Sequence, residues 1–283
     1  MEQHVLRGDV LRTGERLVVA CSGGPDSVAL AAVLAAIAPH LELQLSIAHV
    51  NHGVRTSAWQ DECVAMRVAA SLGLALDVAA PKPEGHDEAM LRTVRYESLV
   101  EIARRRGASA VATAHHAEDQ TETVLLALFR GSGPDGLGGM TARRELVPGV
   151  ALVRPLLRIA AEDLRYYCHV SGLPYAIDPT NEDAAMRRNA VREALASLRP
   201  AFPGLDEAVA RAAELVASER AGTDRAVLRR RVRDLLRDEA SLSDVDFAHV
   251  EAAARTMELG GSGRFHMKKG VTLRIETGRR NEP

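Results

Sequence analysis

Leu17-Val18-Val19-Ala20-Cys21-Ser22-Gly23-Gly24-Pro25-Asp26-Ser27 is the stretch from which the fold can be read. Leu17–Cys21 is mostly apolar and reads as a buried strand. A tight Ser-Gly-Gly loop follows, and Pro25 stands where the first turn of a helix begins. An Ala/Leu/Val-rich run then continues to Ala38. Strand, glycine loop and helix start form the geometry that cradles phosphates. Glycine lets the backbone come close, and N–H groups at the helix end point at the anion. A Walker loop would carry Gly-Lys-Ser/Thr. No lysine stands here, and the charged residue is Asp26. A carboxylate beside phosphates is repelled unless a cation lies between them, so the loop implies Mg2+ held in part by Asp26.

Ser22-Gly23-Gly24-Pro25-Asp26-Ser27 resembles the Ser-Gly-Gly-x-Asp-Ser loop of the PP-loop ATP pyrophosphatases. That superfamily cleaves ATP between the α and β phosphates and activates a substrate as its adenylate. The resemblance implies that Ser22, Gly23, Gly24, Pro25, Asp26 and Ser27 bind the nucleotide.

Further strands and helices alternate outward from this unit. Leu43–Val50, Leu74–Ala80, Ser109–Ala114 and Val150–Val153 read as strands. Ala58–Leu72, Asp87–Arg106, part of His115–Arg130 and Ala161–Ser171 read as helices. This alternation predicts an α/β fold with a doubly wound parallel sheet. Such sheets bind ligands beyond the carboxyl ends of their strands. The three richest loops, Ser22–Ser27, His49–Arg55 and His115–Thr123, all follow strands. After about residue 183 the segments 183–198, 205–218, 225–238 and 244–259 read as helices, with a small hairpin near 264–277. The expected division is a catalytic domain over 1–200 and a small, mainly helical C-terminal domain over 201–283.

Composition limits the classes open to the chain. Its 283 residues are 46% hydrophobic and 26% charged, which is globular rather than disordered. No apolar run is long enough to span a bilayer and no signal-peptide pattern opens the chain, so no membrane partner is expected. Cys21, Cys63 and Cys168 are widely spaced, with no disulfide framework and no Cys-x-x-Cys pair. A reducing cytoplasm fits. The net charge is −2, so no global basic field points to nucleic acid. Lysine occurs only at 82, 268 and 269; the other basic residues are arginine, which favours bidentate phosphate contact. Arg143-Arg144, Arg187-Arg188 and Arg229-Arg230-Arg231 are the local arginine clusters suited to phosphates.

Thr113-Ala114-His115-His116-Ala117-Glu118-Asp119-Gln120-Thr121-Glu122-Thr123 carries the second strong signal. The spacing of His115, Asp119 and Thr123 predicts one shared helix face. Asp119 either joins Asp26 near Mg2+ or holds an incoming amine, and His115 is a candidate proton acceptor. Arg92 and Arg95 lie three residues apart near a helix start, where an arginine could stabilise charge developing on a phosphate. Arg188 and Arg192 also share a predicted helix face.

Taken in order, these segments resemble the tRNA(Ile)-lysidine synthase family. His49-Val50-Asn51-His52-Gly53-Val54-Arg55 matches the family's His-Val-Asn-His-Gly-x-Arg. Arg92–Tyr96 matches Arg-x-x-Arg-Tyr, and Thr113–Thr123 matches Thr-Ala-His-His-x-Asp-Asp-Gln-x-Glu-Thr. Arg130–Met140, Arg154–Leu157, Asp178–Asn181 and Arg188–Arg192 complete the pattern. Glu118 departs from it, standing where the family usually has Asp, which puts a metal role at 118 in doubt.

The resemblance implies an adenine nucleotide alpha-hydrolase-like, Rossmann-like fold and a two-step reaction. The 2-carbonyl oxygen of the wobble cytidine in a CAU anticodon attacks the α-phosphate of ATP, and pyrophosphate leaves. The ε-amine of free L-lysine then attacks carbon 2, and AMP leaves. The cofactors implied are ATP and Mg2+, and the macromolecular partner is tRNA(Ile); a second copy of the chain is kept as a candidate partner. Asp26, Arg95, His115 and Asp119 are the expected catalytic residues, Asp26 and Asp119 the expected metal ligands. His49 and Asn51 join Ser22–Ser27 at the nucleotide. His115 or Asp119 takes the proton of the amine. Two rivals share ATP activation: a cytidine thiolase, whose class generally needs paired cysteines, and an amide ligase fed by ammonia.

Overall fold

The computed structural model describes residues 1–6, 8–51, 53, 58–81, 88–176, 186–221, 227–229, 232, 247–259, 261–266 and 272–275. Helix α1 (Glu2–Leu6) leads into β1 (Arg16–Ala20), whose Leu17, Val18 and Val19 are completely buried. Next come α2 (Pro25–Leu41), β2 (Gln44–Val50), α3 (Ala58–Leu72), β3 (Ala75–Ala79) and α4 (Glu88–Arg106). Then follow β4 (Ala110–Ala112), α5 (Ala117–Phe129), the one-turn α6 (Pro134–Leu137), β5 (Arg143–Val147), β6 (Val150–Val153), α7 (Ala161–Val170) and α8 (Met186–Leu198). The strands form one sheet in the order β3-β2-β1-β4-β6-β5, parallel except for β5.

Both faces of the sheet are covered, as a doubly wound sheet requires. Side chains alternate between the faces with a period of two. Leu17, Val19, Ile47, Ala110, Ala112 and Val153 pack with α2, α3 and α7. Val18, Ala48, Val111 and Leu152 pack with Leu99, Ile102 and Ala103 of α4. Helix α2 is buried almost all round, from Ser27 to Leu34 and at Ile37, so its sequence is apolar rather than striped. It continues three residues beyond the expected Ala38, through Pro39, and stops at Glu42 with φ 52°.

The sheet differs from the expected one at its edge. Arg143–Val147 pairs antiparallel with β6, across a turn at Pro148-Gly149. Its Arg-Arg-Glu start reads as loop because an edge strand is half solvated and can be polar. The strand expected over Ser109–Ala114 is shorter, Ala110–Ala112. The glycine-rich run 131–140 contains α6.

The chain divides into two compact units, residues 1–132 with 139–211, and residues 133–138 with 212–283. Helix α9 (Leu205–Ala221) runs across the boundary. The second unit contains α10 (Phe247–Glu258) and an antiparallel pair, β7 (Gly263–His266) and β8 (Thr272–Ile275), at the expected hairpin. Its core joins Val232, Val250, Ala253 and Ala254. Much of the expected helix over 225–238 lies outside the described residues. Among the described residues no helix is long and apolar enough to cross a membrane.

Candidate active site

Strand order reverses between β1 and β4: the chain moves outward through β2 and β3, then returns to β1's other side. This is the switch point at which an open sheet forms its crevice. The loop after β1 and the segment after β4 meet there, with His116 Nε2 3.7 Å from Asp26 Oδ2.

The 22–27 loop is held by its own hydroxyls. Ser22 N donates to Ser27 Oγ at 3.1 Å, and Ser27 Oγ donates to Gly24 O at 2.9 Å. Pro25 is the first helical residue and Gly24 the N-cap. Gly23 has φ 92°, and a Cβ built there would lie 2.9 Å from Asp61 O of α3. Gly23→Ala therefore meets both backbone strain and a backbone clash. It should destabilise the protein by about 2 kcal/mol, read as a lower urea midpoint at unchanged slope. A midpoint within error of wild type would show that the loop and α3 separate easily.

His49 and Asn51 brace this loop from β2. His49 is buried, with Nδ1 2.8 Å from Cys21 O, so it reaches the loop through the backbone. Asn51 Nδ2 donates to Glu62 of α3 at 3.2 Å, and its Oδ1 accepts from Gly53 N at 3.0 Å. His52, Val54 and Arg55 of the same motif lie outside the described residues.

The expected helix face through His115, Asp119 and Thr123 is not formed. Helix α5 begins at Ala117, with His116 as its extended N-cap, so His115 precedes the helix. Asp119 Oδ2 accepts from His116 N at 3.2 Å, which stops the helix from extending backwards. The two histidines consequently have opposite surroundings. His116 Nδ1 is 2.9 Å from Glu118 Oε2, and its Nε2 is 3.4 Å from Asp119 Oδ2 and 3.7 Å from Asp26 Oδ2. Burial opposes its charge, but Glu118, Asp119 and Asp26 raise its pKa to about 9. His115 Nδ1 is 3.0 Å from Thr113 Oγ1. Burial, then Arg154, Arg95, Arg92 and Arg188, push its pKa down to about 3. At neutral pH His116 is an imidazolium and His115 a neutral imidazole.

Glu118 has two tasks. Besides holding His116, it accepts the N–H of Ala161 at 3.0 Å, capping α7. Its pKa is lowered against burial by His116 and that amide. Asp26 is different. Its Oδ1 is buried with no hydrogen-bond partner, and desolvation raises its pKa.

Arginines lie around His115. Arg92 Cζ and Arg95 Cζ stand 5.2 and 5.4 Å from the ring centre of Tyr96 on α4. Arg154, at the end of β6, is buried and donates to Thr141 O at 2.7 Å. In the sequence Arg154 enters only as part of the Arg154–Leu157 match and is given no role at the site.

Two further structural roles were missed. Buried Glu122 of α5 accepts from Arg188 Nε at 2.7 Å and Arg192 Nε at 2.6 Å, locking α8 to α5. Gln120 exchanges hydrogen bonds with Met140 at 2.8 and 3.0 Å, tying the glycine-rich loop to α5. The arginine clusters suited to phosphates need correction. Arg143 is paired with buried Glu15 at 2.6 Å. Arg229 is 4% exposed and paired with Glu251 at 3.0 Å, so it organises the core of the second unit instead of presenting charge. The side chains of Arg187, Arg230 and Arg231, and all of Asp178–Asn181, lie outside the described residues.

A crevice at the reversal of a parallel sheet, with a Ser-Gly-Gly loop on one lip, defines a PP-loop protein. The family model for the PP-loop domain matches residues 2–198. The chain belongs, within that class, to the tRNA(Ile)-lysidine synthase family. It is 44% identical over 217 residues to the tRNA(Ile)-lysidine synthase of Salinispora tropica, covering 74% of this chain and 64% of that relative. It is 36% identical over 268 residues to the one from Methylobacterium nodulans, covering 92% of this chain and 72% of that relative. The match thus spans slightly less than two thirds of the Salinispora protein. Among solved structures, the U34-tRNA thiolase NcsA from Methanococcus maripaludis, described with its [4Fe-4S] cluster, is similar in fold. Its TM-score is 0.65 at 18% identity, over 76% of this chain and 77% of that one.

Proposed function

We propose that this chain uses ATP to ligate lysine to carbon 2 of the wobble cytidine of tRNA(Ile) bearing CAU, releasing pyrophosphate and then AMP. The convergence of Asp26 with His116 and Asp119 at the sheet's switch point carries the reading. In the first step the 2-carbonyl oxygen attacks the α-phosphate. The 22–27 loop orients the triphosphate and Arg95 faces the charge that grows on phosphorus. Asp26 and Asp119 would hold Mg2+; the partnerless buried Oδ1 of Asp26 fits a cation. Mg2+ is commonly bound by one or two carboxylates plus substrate phosphates and water. Bound there, the ion supplies charge neutralisation for the phosphates.

In the second step the lysine amine must lose a proton, from an unperturbed pKa of about 10.4. His115 is a poor acceptor with a pKa near 3, and His116 is already protonated. Asp119, assigned above to the cation, is as a carboxylate no stronger a base, so the pH dependence of lysine transfer in His115→Gln and Asp119→Asn decides which of the two takes the proton. The cytidine leaves its stack to enter the crevice, so the anticodon is read in splayed form. Residues 1–200 supply the catalysis and 201–283 contact the tRNA. The test is incubation with ATP, Mg2+, radiolabelled lysine and tRNA(Ile) carrying CAU. Label in the tRNA with AMP released is expected. Pyrophosphate release that ignores tRNA, or no incorporation, would overturn the reading.

A further inference from the structure

Arg92, Arg95 and Arg154 gather around Tyr96 and His115. Among the described residues none of the three forms an ion pair with a carboxylate. Arg154 is 3% exposed, and its Nε has no hydrogen-bond partner. The buried Tyr96 Oη lies beside the Arg154 guanidinium but meets no partner at full hydrogen-bond geometry. Arg92 and Arg95 are exposed, but the buried Arg154 Nε and Tyr96 Oη lack partners, and a buried unpaired polar group is costly. One anion accepted between these groups removes that penalty. The same excess of positive charge contributes to the depressed pKa of His115.

We propose that Arg92, Arg154 and Tyr96 form an oxyanion subsite that takes the α-carboxylate of the amino-acid substrate. This rests on the lysine-ligating reading above. The triphosphate already has the 22–27 loop. A phosphodiester inside an RNA strand is too encumbered to reach an arginine 3% exposed. A carboxylate is small and planar, matching the guanidinium fork and a phenol donor. The arrangement also suits a zwitterion. Asp26, Glu118 and Asp119 lie around His116, whereas the arginines lie around His115, one residue away along the chain. A ligand with an ammonium at one end and a carboxylate at the other finds complementary charge on both sides of the histidine pair.

The test compares L-lysine with cadaverine, the same carbon chain and amines without the carboxylate. KM for each is measured in the tRNA-labelling assay, and equilibrium binding in the presence of ATP, for wild type, Arg92→Gln and Arg154→Met. Arg92 is exposed on α4, so Arg92→Gln keeps the reading independent of any folding defect in Arg154→Met. Wild type should prefer L-lysine over cadaverine by about tenfold to a hundredfold. Either substitution should erase that preference, with ATP KM and tRNA affinity within about twofold of wild type. Equal KM for lysine and cadaverine in wild type would overturn the subsite while leaving the ligase intact. A raised ATP KM or weakened tRNA binding at unchanged lysine KM would assign the arginines to phosphate instead. Wild-type protein that labels no tRNA would overturn the ligase reading and the subsite together.

Discussion

Asp26→Asn should lower lysine transfer to tRNA by about a thousandfold or more, while ATP still binds in the 22–27 loop. The exchange is isosteric and keeps a hydrogen-bonding side chain, so the fold is not the expected casualty. It removes one negative charge from a place where the carboxylate is half-buried and one oxygen has no partner. Leaving an anion unpartnered beside a phosphate site is unfavourable unless a cation is to be captured there. A titration supplies an independent readout. With Asp26 neutralised, one of the three carboxylates that raise the His116 pKa is lost, and that pKa should fall from about 9. A variant within tenfold of wild-type activity would show that the cation, if used, is held elsewhere.

The parts of this protein that were legible in its sequence are those where one residue type alone satisfies the backbone or the ligand. Gly23 must take a φ of 92° against α3, and no side chain fits there. Pro25 starts a helix whose preceding strand is apolar from Leu17 onward. Such constraints are local, so they survive as short motifs. The antiparallel β5 was not legible, because an edge strand answers to solvent on one side and its Arg143-Arg144-Glu145 start resembles a loop. Nor was the division of labour between His115 and His116. It depends on where α5 begins, and that is set by a single Asp119 carboxylate accepting the His116 amide.

Charge was the least legible property. Arg188, Arg192 and Arg229 have the look of solvated or RNA-facing residues in sequence. Their partners, Glu122 and Glu251, are distant in the chain and buried or half-buried. A lone arginine run says nothing about whether its charge is spent inside the protein. Three arginines spaced through two motifs, Arg92, Arg95 and Arg154, are instead the ones without carboxylate partners among the described residues.

The adjacent histidines should give the protein a stability maximum near neutral pH, with each limb assignable to one residue. His116 has a folded pKa of about 9, above the ordinary 6.5. A raised pKa means that the folded state binds the proton more tightly, so the stabilisation is complete below about pH 6.5 and disappears as pH rises to about 9. The loss corresponds to about 3 kcal/mol. His115 runs the other way, with a folded pKa of about 3. Below about pH 6.5 the unfolded chain takes up a proton that the folded one refuses, so stability falls by about 2 kcal/mol between pH 6.5 and 5. Urea unfolding at a series of pH values on wild type, His116→Gln and His115→Gln separates the limbs. His116→Gln should flatten the alkaline limb alone, because Glu118, Asp119 and Asp26 surround that imidazole and not its neighbour. His115→Gln should flatten the acid limb, since Arg154, Arg95, Arg92 and Arg188 disfavour the charge of that ring. An alkaline limb that persists in His116→Gln would mean that another group in the crevice carries the proton, and the paired carboxylates would then have to be neutralised by something other than this imidazolium.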